Sequence, residues 1–242
     1  MAENFSGTDE MKRAADIAAG RIKADVVLKN ARYLDVFNAR LCEGDIALCG
    51  GLIAGIGSYE GEKEYDFSGK VVLPGLIDSH MHIESTQLSP EEFASLAVPR
   101  GTTLVIADPH EIVNVCGLAG ADYMSRATAR TPLDVRLMLP SCVPATPFET
   151  SGAVIDSKEI AKAFRGKRFF GLGEMMNYPA VAAGDEEVLA KIYAAHSTGR
   201  ITDGHAPEMS GKALNSYIVS GVRTDHECAT AAEAEEKVSR GM

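Results

Sequence analysis

Six times after Pro74, an apolar run ends on polar or ionisable residues and a helix-like stretch follows. The runs are "GLIDSHMH", "TTLVIADPHE", "DVRLMLPSCV", "RFFGLGEMMN", "RITDGHAP" and "VRTDHEC". The helical stretches are "SPEEFASLAVPRG", "GLAGADYMSRATA", "SKEIAKAFRG", "DEEVLAKIYAAHSTG", "SGKALNSYIVSG" and "TAAEAEEKVSRG". Ser89 with Pro90 reads as a helix start, and Gly101, Gly166, Gly199 and Gly221 read as helix ends. Strand–helix units in series give a parallel α/β architecture. These runs are too apolar to be half-exposed, so the sheet should be covered on both faces. In (β/α)8 barrels, groups from the C-terminal ends of several strands converge on one mouth. Here the ends carry His80 and His82, His110, Glu174, His205 and His226, which favours a barrel over an open sheet. A full barrel takes about 250 residues, so residues 74–242 hold six units and not eight. The expected fold is an incomplete TIM-type (β/α)8 barrel with strands 1–6 only, cut short at the C-terminus. Such a sheet would expose apolar edges at strands 1 and 6.

Ahead of it, residues 1–23 read as a polar leader with one short helix, "EMKRAADIAAG", ended by Gly20. Residues 24–73 change to short β segments, "ADVVLKNARYLDV", "GDIALCGGLIAGIG" and "YDFSGKVVL", punctuated by Asn, Asp and Gly as turns require. This is a small β module, half of a composite β-sandwich. The N-terminus lacks an apolar signal core and no run approaches the roughly 20 residues of a membrane span, so a cytoplasmic protein without membrane contacts is expected. Five cysteines form no C-x-x-C pair, which points to reduced thiols. A net charge of −10 argues against nucleic-acid binding and leaves a small neutral or cationic substrate.

In "PGLIDSHMHIES", His80, His82 and Glu84 alternate. On an extended strand such residues share one face, with Met81 and Ile83 on the other. H-x-H alone is a weak motif, and a lone histidine such as His196 in "KIYAAHSTG" is read as structural. Glu174 is costly to bury in its apolar run without a partner. Histidine nitrogen and carboxylate oxygen suit zinc, iron and manganese. Taken together, His80, His82, Glu174, His205 and His226 exceed the needs of one tetrahedral ion, so the residues point to two metals bridged by Glu174.

The β module flowing into "GKVVLPGLIDSHMHIES", with "ADPHEIVNVCG", "GLGEMMN", "DGHAP", "SGKALNSYIVSG" and "TDHECAT", resembles the amidohydrolase superfamily, and within it the branch that deaminates adenine. The resemblance runs from about Ala24 to the last residue. Many binuclear members carry a carboxylated lysine where this chain has Glu174. The resemblance implies hydrolytic deamination of adenine to hypoxanthine and ammonia by a metal-activated hydroxide. It also implies a binuclear centre of manganese or iron, with zinc as the other candidate, and a homo-oligomer in the full-length form. His80 and His82 would hold one ion, His205 and His226 the other, with Glu174 between them. Glu84, sharing the face of His80 and His82, is the first candidate acid for proton handling. Glu208, three residues after His205 in "HAPE", is the second. His110 and Glu111 would line the substrate pocket or cap the barrel, and Asp203 and Asp225 would orient ligands or serve turns. The aspartate that the superfamily takes from strand 8 is not among these residues, nor are the later strands that close the β module. An inactive fragment of a longer enzyme, a hydrolase of other cyclic amides such as dihydroorotate or hydantoins, and a non-catalytic barrel are the competing readings.

Overall fold

The computed structural model describes residues 5–146 and 148–242, in two compact units, Met1–Pro74 and Gly75–Met242. In the first, strand β1 (Ala24–Asp35) pairs antiparallel with β2 (Arg40–Cys49), which pairs antiparallel with β3 (Leu52–Gly57). The turn between β1 and β2 is built on Asp35, whose carboxylate accepts from the N–H groups of Phe37 and Asn38. Strands β4 (Gly61–Asp66) and β5 (Val71–Val72) both lie parallel to β1. Helix α1 (Thr8–Ala18) places Ala14 and Ile17, three residues apart, against Ala24, Val27, Ala47 and Cys49. The segment expected as a polar leader thus contributes a packed helix, because its small apolar stripe covers one face of the sheet.

In the second unit, β6 (Leu76–Met81), β7 (Thr102–Ala107), β8 (Asp134–Leu139), β9 (Gly171–Met175) and β10 (Ile201–Gly204) form one sheet in sequence order, every pair parallel. Helices occupy the connections: α2 (Pro90–Ala97), α3 (His110–Cys116), α4 (Leu118–Thr128), α5 (Ser157–Ala163), α6 (Tyr178–Ala183) and α7 (Glu186–His196). Two more, α8 (Gly211–Val219) and α9 (Ala231–Ser239), follow β10. This is an incomplete TIM-type barrel. Its core holds Val105, Leu137, Leu139, Leu172, Met175, Ile192, Leu214 and Tyr217. Ser89 Oγ caps α2 by accepting from Glu92 N, with Pro90 in the first turn. Leu76 and Ile77 on β6 are exposed, the open apolar edge expected at the first strand.

Three local expectations change. The sixth run, "VRTDHEC", forms no strand; among the described residues one backbone bond, Arg223 N–H to Thr202 O at 3.5 Å, joins it to the sheet. Second, β7 ends at Ala107, so His110 opens α3 instead of ending a strand. Third, β6 ends at Met81 and Glu84 starts a 3-10 turn (Glu84–Thr86). Strand alternation therefore stops before Glu84 and does not place it beside the two histidines. All five cysteines are free. No helix among the described residues is long and apolar enough to cross a membrane.

Candidate metal centre

The C-terminal ends of β6, β9 and β10 and the segment after Val222 bring the five expected ligands into one cluster. Glu174, 4% exposed at the end of β9, lies at its centre. Its Oε1 faces His82 Nε2 at 3.3 Å. Its Oε2 faces His205 Nδ1 at 2.7 Å and His226 Nε2 at 3.2 Å. The His80 and His82 Nε2 atoms are 3.2 Å apart, and the His80 and His226 rings stack with centroids at 3.5 Å. One donor atom each from His80, Glu174 and His226 falls within a 4.8 Å group.

The hydrogen bonds on the far sides of the rings decide what those nitrogens can do. His80 Nδ1 lies 2.8 Å from Asp203 Oδ2, and His82 Nδ1 lies 2.7 Å from the carbonyl oxygen of Asp108. Both partners are acceptors, so both Nδ1 atoms carry the proton, and in the neutral rings both Nε2 atoms present lone pairs to each other. Facing lone pairs repel unless a cation lies between them. Two ring nitrogens bound at 2.0–2.1 Å to one tetrahedral ion would sit about 3.3 Å apart. The donor set therefore fits a metal, and the Asp203–His80 pair has the form of a carboxylate that fixes a ligand's tautomer.

Charge is organised around this cluster. Against the upward push of burial, hydrogen bonds from His205 and His226 hold the Glu174 carboxyl well below its ordinary range. Asp203 behaves likewise: its burial is outweighed by His226, His80 and the Thr224 hydroxyl. Against burial, Asp203 and Glu174 raise His226 to about 10. His110, hydrogen-bonded through Nε2 to Cys142 O at 2.7 Å, is raised to about 9 by Asp108, Cys142 O and Glu174 in spite of burial.

Several supports were not expected. Asp108 is fully buried, and its Oδ2 accepts from Glu174 N at 2.9 Å. Ser141 Oγ donates to Glu174 O at 2.5 Å. The Tyr217 hydroxyl accepts from His205 N at 3.1 Å and donates to Met175 O at 2.8 Å. Only Asp108 had a signal, as an aspartate directly following the apolar run in "VIADPHE"; Ser141 and Tyr217 look like ordinary loop and helix residues.

The remaining candidates divide. Glu84 Oε1 accepts from Ile112 N at 3.3 Å in α3, while the buried Oε2 makes no hydrogen bond among the described residues. Burial, with Glu111 alongside, raises the Glu84 carboxyl to about 7. Glu111 accepts from Ser85 Oγ at 2.6 Å and lies 3.6 Å from His82 Nδ1. Against burial, the Ser85 bond and the neighbouring His82 lower the Glu111 carboxyl. His110 Nδ1 lies 3.7 Å from Glu174 Oε1. Glu208 is exposed with φ of 60°, and its carboxylate makes no hydrogen bond or ion pair with the five ligands among the described residues. Asp225 pairs with Lys237 at 2.6 Å and not with a histidine.

Known proteins share this arrangement of sequence. "Adenine deaminase 2" of Desulfotalea psychrophila is 53% identical over 234 residues, 97% of this chain and 41% of that protein. "Adenine deaminase" of Halalkalibacterium halodurans is 50% identical over 238 residues, again 97% of this chain and 41% of that protein. The chain thus spans about two fifths of the length of these relatives. Among solved structures, a D-aminoacylase mutant in complex with copper chloride superposes with a TM-score of 0.64 at 19% identity, covering 90% of this chain and 55% of that one. The N-acyl-D-glutamate deacylase of Bordetella bronchiseptica, complexed with zinc and a phosphonate inhibitor, gives 0.60 at 16% identity with the same coverage. These two likenesses concern the fold. The profile of the amidohydrolase family matches residues 71–240, a span that contains the barrel strands and all five clustered ligands, and the chain belongs to that family.

Proposed function

We propose that this chain serves the hydrolytic deamination of adenine to hypoxanthine and ammonia. The observation that carries a metal-dependent hydrolysis is the Glu174 carboxylate, one oxygen toward His82 and the other toward His205 and His226. Adenine as substrate is supported by the names of relatives at 50–53% identity over nearly the whole chain. Divalent ions held here, manganese or iron with zinc as the other candidate, would acidify a water enough for it to serve as nucleophile at neutral pH. His80 and His82 would hold one ion and His205 and His226 the other, with Glu174 between the two pairs; Asp203, 2.8 Å from His80 Nδ1, fixes the tautomer that leaves His80 Nε2 available as a ligand. Glu84 is the proton-handling acid, because its Oε2 makes no geometric hydrogen bond among the described residues and burial, with Glu111 alongside, raises its carboxyl to about 7, so that it can carry a proton to a ring nitrogen at neutral pH. His110 and Glu111 contact the substrate. Glu208, exposed three residues after His205, is the second candidate acid.

The test uses the polypeptide that the gene encodes, including any residues that continue the frame beyond Met242, loaded with manganese. Loss of adenine absorbance with matching ammonia release is expected, with no turnover of dihydroorotate or hydantoin. A folded, metal-bound protein that leaves adenine intact would refute the proposal.

A further inference from the structure

We propose that Lys237 is a positioning residue that holds His205 and His226 in place for their half of the metal centre; this rests on the metal-centre reading above. His80 and Glu174 sit on hydrogen-bonded strands, but His226 does not. Its segment meets the sheet through one backbone bond from Arg223, so something other than a ladder must fix it. Lys237, on α9, is 2% exposed. Its ammonium uses all three donors: to Asp225 Oδ2 at 2.6 Å, to Glu233 Oε1 at 2.5 Å and to Ala206 O at 2.8 Å. Asp225 directly precedes His226, and Ala206 directly follows His205. Asp225 Oδ1 in turn accepts from Ala206 N at 3.4 Å and Glu227 N at 2.9 Å. Ala206 is therefore gripped at both its N–H and its carbonyl by one ion pair. Glu233 extends the clamp, accepting from Glu208 N at 2.8 Å and Ala229 N at 2.9 Å. Both ligand loops, residues 205–208 and 225–229, are thus tied to α9, through the buried Lys237 ammonium at Ala206 and Asp225 and through the Glu233 carboxylate at Glu208 and Ala229. No comparable tie from Lys237 reaches His80 or His82 among the described residues.

The clamp makes an asymmetric prediction. Lys237→Met keeps the length of the side chain and removes every donor. Manganese titration of the whole chain, followed by the electron paramagnetic resonance of free ion, should show two binding steps in the wild type, one of them abolished by His226→Ala. In Lys237→Met that same step should weaken 10–100-fold, the usual cost of losing a residue that orients a ligand, while the other stays within about twofold. A residue that merely stabilises the fold would lower the melting temperature and leave the two affinities alone. If Lys237→Met does not fold, Lys237→Met with Glu233→Gln removes one of the carboxylates left unpaired and is titrated instead. Two unchanged steps in a folded variant, or equal weakening of both, overturns the proposal. A wild type that takes up fewer than two ions is a different result, overturning the metal-centre reading itself.

Discussion

Replacing Gly173 with alanine adds one methyl group and should cost the fold about 2–4 kcal/mol. A Cβ at this position would lie 2.2 Å from Asp108 Oδ2, 2.7 Å from its Cγ and 2.9 Å from its Oδ1. Asp108 is fully buried, so its carboxylate cannot swing into water to make room. Forcing a methyl into such a site costs about 1–3 kcal/mol. Displacing the carboxylate also strains its 2.9 Å bond from Glu174 N, and a hydrogen bond to a charged group contributes about 1.5–3 kcal/mol. Alanine's smaller unfolded-state entropy returns about 0.4–1 kcal/mol. Urea unfolding of the metal-free protein, followed by circular dichroism, measures the net. The decisive comparison is the same substitution in an Asp108→Ala background, where all three clashing atoms are gone. There the cost should fall below about 1 kcal/mol, a coupling of about 2 kcal/mol between the two sites. Equal costs in both backgrounds would refute the reasoning, because the methyl would then be meeting something other than Asp108.

Three further outcomes are expected. Asp203→Asn keeps the shape of the residue but removes the anion beside the Nδ1 atoms of His80 and His226, and should weaken metal binding 10–100-fold in a competition assay against a metal buffer. Each ion at 100 times its Kd should stabilise the protein by about 2.7 kcal/mol, raising the calorimetric melting temperature by about 5–10 °C, and His80→Ala should remove the share of the ion assigned to His80 and His82. In the N-terminal unit, Asp45 is nearly buried and accepts from Lys29 Nζ, Asn30 N and Tyr59 N. Those bonds hold its carboxyl below the ordinary 3.8 despite burial, so its contribution is full above about pH 4 and is lost as pH falls through the depressed value. Asp45→Asn should cost about 2–3 kcal/mol at pH 7 in urea unfolding and flatten the acid side of the stability profile.

The strand–helix rhythm was legible because parallel strands buried on both faces must be apolar while their ends must not be. Five of the six runs became strands at their expected places. The sixth did not, since the few residues around His226 make one ladder bond and spend their side chains on Asp203 and Lys237 instead. The ligands were legible for a related reason. Histidines and a glutamate directly after apolar runs have few bland explanations, and the four histidines gather around Glu174. Glu84 shows where alternation fails: it holds only while the strand lasts, and β6 ends three residues earlier. Ser141, Tyr217 and Lys237 were beyond reach, and Asp108 showed only its place after an apolar run, because their importance lies in tertiary hydrogen bonds that join residues 12 to 66 positions apart. A helix pattern such as "TAAEAEEKVSRG" gives no sign that its lysine is buried.

The most direct test of the central claim, that Glu174 is shared by two metal ions, is an anomalous-scattering map from crystals of the manganese-loaded protein. Two peaks flanking the Glu174 carboxylate are predicted, one ligated by His80 and His82 and the other by His205 and His226. A single peak, or ions that Glu174 does not touch, would contradict the account.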